Sequence, residues 1–114
     1  MTRVYKILPS AAWDMSVRAG FFPGSQVDLI DGFIHLSTAA QAQETASRHF
    51  AGQAGLVIVG FDAADLGESL RWEPSRNGAL FPHLYGVLDP ALAIETRPLS
   101  LAADGVPQVG VLIP

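Results

Sequence analysis

The chain has 114 residues, 49% of them hydrophobic and 16% charged, with a formal net charge of -4 and no cysteine. At 12.1 kDa it has room for a single domain spanning 1–114, because independently packed domains centre on about 100–150 residues, and its apolar content excludes a disordered chain. The lack of cysteine excludes disulfides, thiolate nucleophiles and cysteine-ligated zinc or iron–sulfur sites, and seven basic against eleven acidic residues, scattered along the chain, argue against long nucleic-acid partners.

Met1–Lys6 lacks the basic region followed by an apolar run that marks a secretory signal. The longest uncharged apolar stretch, Gly55–Phe61, is far short of the roughly 20 residues of a spanning helix, so a cytoplasmic protein without a membrane span is expected. Arg3–Leu8 has strand composition, and Pro9-Ser10 ends it with Ser10 offered as an N-cap. A helix over Ala11–Ala19 follows, with Trp13 and Val17 stacked at i,i+4 and Gly20 as its stop. Phe21–Asp31 contains Pro23-Gly24-Ser25 and reads as a loop with room for one helical turn. Gly32–Ser37 reads as a strand whose period of two puts Phe33, His35 and Ser37 on one face and Ile34 and Leu36 on the other.

Thr38 and Gln41 form a capping box for a helix reaching Phe50, whose inward side carries Ala39, Ala42, Ala46, His49 and Phe50. Leu56–Val59 has no polar alternation, the pattern of a central strand covered on both faces. Asp62–Gly67 reads as a helical turn. Leu70–Glu73 is extended, with Arg71 and Glu73 on one side and Leu70 and a core Trp72 on the other. After a turn-rich Pro74–Gly78, Phe81–Leu88 is extended, with His83 and Tyr85 sharing a face over Phe81 and Leu84; short strands at Ala93–Leu99 and Val106–Ile113 close the chain. Short strands with two modest helices in the N-terminal half predict an α+β fold on a mixed or antiparallel sheet. The glycine patterns of dinucleotide-binding and P-loop folds are absent.

Three segments set hydrogen-bonding side chains among large apolar ones: Asp31–Ser37, Arg71–Arg76 and Phe81–Gly86. Such groups need partners when buried, and they can supply one another. His35 reads either as a core histidine bonded to nearby backbone or as a ligand-orienting, proton-transferring imidazole. Ser37 reads as a ligand contact or as a helix cap. Arg71, Glu73 and Arg76 read as a surface salt-bridge set or as an anion clamp beside a carboxylate that stabilises developing positive charge. His83 and Tyr85 suit a pocket wall that fixes hydroxyls. His49 reads as structural, and Glu44 with Arg48 as a solvated i,i+4 ion pair. No H-x-x-x-H or H-E-x-x-H spacing occurs, so no metal is expected.

Taken together, Asp31-Gly32-Phe33-Ile34-His35-Leu36-Ser37, Thr45-Ala46 with His49-Phe50-Ala51-Gly52, Leu70-Arg71-Trp72-Glu73 and Phe81-Pro82-His83-Leu84-Tyr85-Gly86 resemble the bacterial domain-of-unknown-function family 952 from Tyr5 to about Leu88. That family looks like a set of small relatives of the ADP-ribosyltransferase fold, nearest in pattern to the tRNA 2′-phosphotransferase branch. In that branch a strand ending His-Leu-Ser lies in the cleft that holds NAD or an ADP-ribosylated product; the match here is His35, Leu36 and Ser37. The first-strand His-Gly-Thr of such transferases corresponds to Lys6-Ile7-Leu8 after Tyr5, without the imidazole or the glycine.

The resemblance implies an ADP-ribosyltransferase-like cleft for NAD, an ADP-ribosyl group or another nucleotide-like small molecule. Residue chemistry then nominates Glu73 and His35 as catalytic, Glu73 beside a ribose carbon that develops positive charge. Ser37, Arg71, Arg76, His83 and Tyr85 are nominated as ligand-binding. The missing first-strand imidazole favours a module that binds without transferring. A third reading is a buried polar network that only fixes the fold.

Overall fold

In the computed structural model, which describes Met1–Pro114, two antiparallel sheets are joined by the stretch from Ile34 to Thr38. In chain order the elements are β1 (Arg3–Pro9), α1 (Ser10–Ala19), α2 (Gln26–Asp31), β2 (Ile34–His35), β3 (Ser37–Thr38), α3 (Ala39–His49), β4 (Leu56–Asp62), β5 (Leu70–Pro74), β6 (Leu80–Leu84), β7 (Ala93–Pro98), β8 (Ser100–Leu101) and β9 (Pro107–Gln108). Short 3-10 turns precede β5, β6 and β7. The larger sheet runs β3-β1-β4-β7 and the smaller β2-β6-β5, while β8 and β9 pair separately.

β1 and β4 pair along seven residues, from Arg3↔Asp62 to Pro9↔Leu56. Both faces of this pair are covered, as the unbroken apolar run of β4 predicts. On one face Val4, Leu8, Val57, Val59 and Phe61 pack with Trp13 of α1 and with Ile34 and Leu84 of the smaller sheet. On the other, Tyr5, Ile7, Leu56 and Ile58 pack against Ala42 and Ala46 of α3, whose small side chains bring that helix close. Each fully buried aliphatic side chain of this kind contributes about 1.5–3 kcal/mol. Gly60 stands opposite Tyr5, and a Cβ there would lie 2.9 Å from Tyr5 Cε1, so the bare backbone makes room for the ring.

The α+β architecture with antiparallel sheets, the central β4 and the Thr38–Gln41 capping box of α3 agree with expectation. Several details differ. Three α-helices form rather than two, because Ser25 and Asp28 cap one another and start α2 in the stretch read as a loop. Ser10 is the first residue of α1 rather than its cap, and Pro9 occupies the cap position. The second buried residue of α1 is Ser16, which donates to Ala12 O, whereas Val17 is 53% exposed. Gly32–Ser37 is two strands of two residues each, in different sheets. Trp72 lies outside the core, 40% exposed, because β5 is the edge of the smaller sheet. His49 is exposed at the last turn of α3, where Phe50 takes over the apolar packing. The segment after Val106 is mostly irregular. No helix is long and apolar enough to cross a membrane.

Candidate functional site

The site grows from the start of α2. Ser25 N–H donates to Asp28 Oδ2 at 2.8 Å and Asp28 N–H donates back to Ser25 Oγ at 3.3 Å. Gly32, in the left-handed conformation at φ 86°, ends the helix. This six-residue helix turns Asp28 inward, 2% exposed, where Lys6 of β1 reaches it with Nζ at 2.9 and 3.2 Å. Lys6 Nζ also donates to His35 O at 3.0 Å. Asp28 Oδ1 accepts the His35 N–H at 3.1 Å and His35 Nδ1 at 2.6 Å. One carboxylate thus ties β1, α2 and β2 together. Burial pushes the Asp28 carboxyl up, but the His35 hydrogen bond, the Lys6 ammonium and the Ser25 N–H outweigh it and hold Asp28 far below the usual carboxylate range.

The smaller sheet supplies the second half. Its register sets His35 against His83 and His83 against Arg71. His83 is 5% exposed, and its Nδ1 lies 2.8 Å from Glu73 Oε1, which also accepts the Tyr85 hydroxyl at 2.7 Å. The Tyr85 and His83 hydrogen bonds lower the Glu73 carboxyl, and the same bond to Glu73 raises the Tyr85 phenol. The Arg71 guanidinium sits 4.7 Å over the Tyr85 ring. Phe33 occupies the centre: its ring is stacked 4.0 Å from His83, 4.6 Å from His35 and 5.4 Å from Tyr85. The two imidazoles lie 5.8 Å apart, centre to centre, and edge to face.

Ionised carboxylates only accept hydrogen bonds, so Asp28 and Glu73 fix a proton on Nδ1 of each histidine and turn each Nε2 away from that carboxylate. His83 Nε2 has no hydrogen-bond partner within the protein, whereas His35 Nε2 faces a second carboxylate. The His35 side chain is 34% exposed, whereas that of His83 is 6% exposed. His35 Nε2 lies 2.9 Å from Asp31 Oδ2, a contact that is attractive only with a proton on that nitrogen. A hollow of about 160 Å³ nearby shares Asp28 and Phe33 with the site and is otherwise lined by Pro23, Leu29, Gly32, Ile34 and Gly86; neither histidine lines it.

Of the residues nominated from sequence, His35, Arg71, Glu73, His83 and Tyr85 meet on this one face. Ser37 and Arg76 do not join it. Ser37 is buried and hydrogen-bonded to Thr45 Oγ1 at 2.9 Å, and Thr38, not Ser37, caps α3. Arg76 Nη2 donates to the same Thr45 hydroxyl at 3.1 Å, its guanidinium lies 4.8 Å over the Phe81 ring, and its nearest carboxylate is Glu44 at 3.7 Å. The Arg71–Glu73–Arg76 set is therefore split. Glu44 and Arg48 form the expected i,i+4 pair at 3.0 Å. His49 is lowered by partial burial and by Arg76, His35 and Arg48 nearby. Sequence reasoning missed Lys6, Asp28, Asp31 and Phe33. The Ser25-x-x-Asp28 spacing was the available signal for α2, and a lone lysine within Val4–Leu8 was the signal for a buried ion pair. No three His, Asp or Glu side chains are arranged to hold a metal ion.

The fold and site define a small α+β protein in which two carboxylate-pinned histidines share one face of a three-stranded sheet. A family model described as a protein of unknown function (DUF952) matches residues 7–96, and the chain belongs to that family. The chain is similar to protein CC0527 from Caulobacter crescentus: 55% identity over 96% of each chain to its crystal structure, with a TM-score of 0.93. A crystal structure of a double mutant of CC0527 matches at 53% identity over 96% of each chain with a TM-score of 0.93. The solution structure matches at 55% over 96% of this chain and 95% of that one, with a TM-score of 0.86. A comparison with curated proteins finds no match.

Proposed function

We propose that this chain binds a nucleotide-like small molecule of the NAD or ADP-ribosyl class on the face built from Phe33, His35, Glu73, His83 and Tyr85. The observation that carries the reading is the convergence of these side chains, which are far apart in sequence, around Phe33. Phe33 and Tyr85 offer ring surface to a base. Arg71, which forms no ion pair, offers its guanidinium to a phosphate. His35 and the uncommitted Oε2 of Glu73 are the groups that ribose hydroxyls meet. The position of His35-Leu36-Ser37 where the chain passes between the two sheets supports an ADP-ribosyltransferase-like cleft.

Glycosyl transfer is not part of the reading. Where such transferases present a first-strand imidazole, this chain has Lys6, buried and locked to Asp28. The protein therefore reads as a binder that leaves the nicotinamide–ribose bond intact. Titration of ¹⁵N-labelled protein with NAD, ADP-ribose and AMP tests it. Saturable shifts centred on Phe33, His35, His83 and Tyr85 are expected for at least one of them. No response to any at millimolar ligand overturns the reading.

A further inference from the structure

We infer that His35 and His83 form a general acid–base pair that hydrolyses a cyclic phosphodiester, with a nucleoside 2′,3′-cyclic phosphate as the substrate class. This rests on the nucleotide-like ligand proposed above and adds to it a reaction.

The geometry is that of two matched halves. His35 and His83 are cross-strand partners on β2 and β6, so their imidazoles rise from neighbouring positions. Each is held at Nδ1 by its own carboxylate, Asp28 at 2.6 Å and Glu73 at 2.8 Å; His83 Nε2 has no partner within the protein, and His35 Nε2 meets Asp31 on a partly exposed side chain. A carboxylate behind an imidazole fixes its tautomer and aims the opposite nitrogen, the arrangement that general acid–base catalysis needs. With ring centres 5.8 Å apart, the two imidazoles are close enough to act on one phosphate, which must come within about 2.6–3.2 Å of each acting nitrogen. A single buried histidine would be explained by packing. A buried His83 beside a partly exposed His35, each with a separate orienting carboxylate, goes beyond what packing requires.

Proton roles follow from what faces each Nε2. Asp31 Oδ2, an acceptor, stands 2.9 Å from His35 Nε2, so the donor role falls to His35. No carboxylate faces His83 Nε2, so His83 is the acceptor. Water attacks phosphorus while His83 Nε2 takes its proton. The bond from phosphorus to one ribose oxygen breaks, and that oxygen receives the proton from His35 Nε2. Water is consumed, a phosphomonoester is produced, and exchange with solvent returns each imidazole to its starting state. Arg71, paired in register with His83 and free of any ion pair, supplies positive charge to the five-coordinate phosphorus. Asp28 and Glu73 are positioning residues.

The experiment incubates the purified full chain with adenosine 2′,3′-cyclic phosphate and follows ³¹P NMR, with binding measured in parallel by the amide titration. Conversion to a monophosphate is expected, falling about 10²–10⁴-fold in His35→Gln. His35 is partly exposed and borders solvent, so this variant keeps the fold, which a thermal melt verifies; His83→Gln, at a buried position, is the second arm. Binding with no turnover by the parent overturns the acid–base pair and leaves the ligand reading standing. Absence of both binding and turnover overturns the two together. Turnover that survives His35→Gln within threefold assigns the reaction elsewhere and refutes the pair.

Discussion

Replacing Asp28 by Asn tests the centre of the site through stability. The carboxylate is 2% exposed and serves four donors: Lys6 Nζ, Ser25 N–H, His35 N–H and His35 Nδ1. The amide keeps the shape but carries no charge, and either orientation turns its NH₂ toward groups that also donate. The Lys6 ammonium is left buried without a counter-charge, and breaking a buried pair from one side costs about 3–5 kcal/mol. Against a total stability of about 5–15 kcal/mol for a domain of this size, the variant loses about a fifth of its margin or more. With each kcal/mol worth roughly 3–6 °C at this length, the midpoint falls by roughly 9–30 °C. Urea melts followed by far-UV circular dichroism give the free energy directly. Adding Lys6→Met to Asp28→Asn removes the orphaned charge and returns part of the loss. An Asp28→Asn variant within about 1 kcal/mol of the parent would refute the buried ion pair as the knot that ties β1, α2 and β2.

The other expectations concern pH, the Glu73 pair and packing. Because Asp28 titrates below its unfolded value of about 3.9, its stabilising contribution is whole above that pH and drains away as pH falls further; acid melts decline below about pH 4, and the decline is shallower in Asp28→Asn. Tyr85→Phe removes the largest influence lowering Glu73, so the Glu73 carboxyl, followed by ¹³C NMR, titrates at higher pH; an unchanged titration counts against the Tyr85–Glu73 bond. Gly60→Ala drives a Cβ to 2.9 Å from Tyr5 Cε1 and costs roughly 1–3 kcal/mol. A loss under about 0.5 kcal/mol would mean that the Tyr5 ring has room to move.

Local signals carried much of this fold. The unbroken apolar run of β4 identified the covered central strand, and Thr38 with Gln41 fixed the start of α3, because each depends on residues only a few positions apart. Strand periodicity also put His83 and Tyr85 on one side, where both reach Glu73. What stayed hidden depends on neighbours distant in sequence. Lys6 and Asp28 are 22 residues apart, and no period links them. Trp72 alternates correctly for burial, yet its strand lies at a sheet edge, which only the strand order reveals. Ser37 and Arg76 matched a ligand-binding pattern, but both spend their hydrogen bonds on the Thr45 hydroxyl.

Leu36 is the single residue between β2 and β3; its N–H bonds Pro82 O at 3.1 Å while its side chain is buried in the core. An extended chain has no slack, about 3.3 Å per residue, so this splice behaves as an inextensible tether. Any sliding of one layer over the other tows His35 past its opposite number.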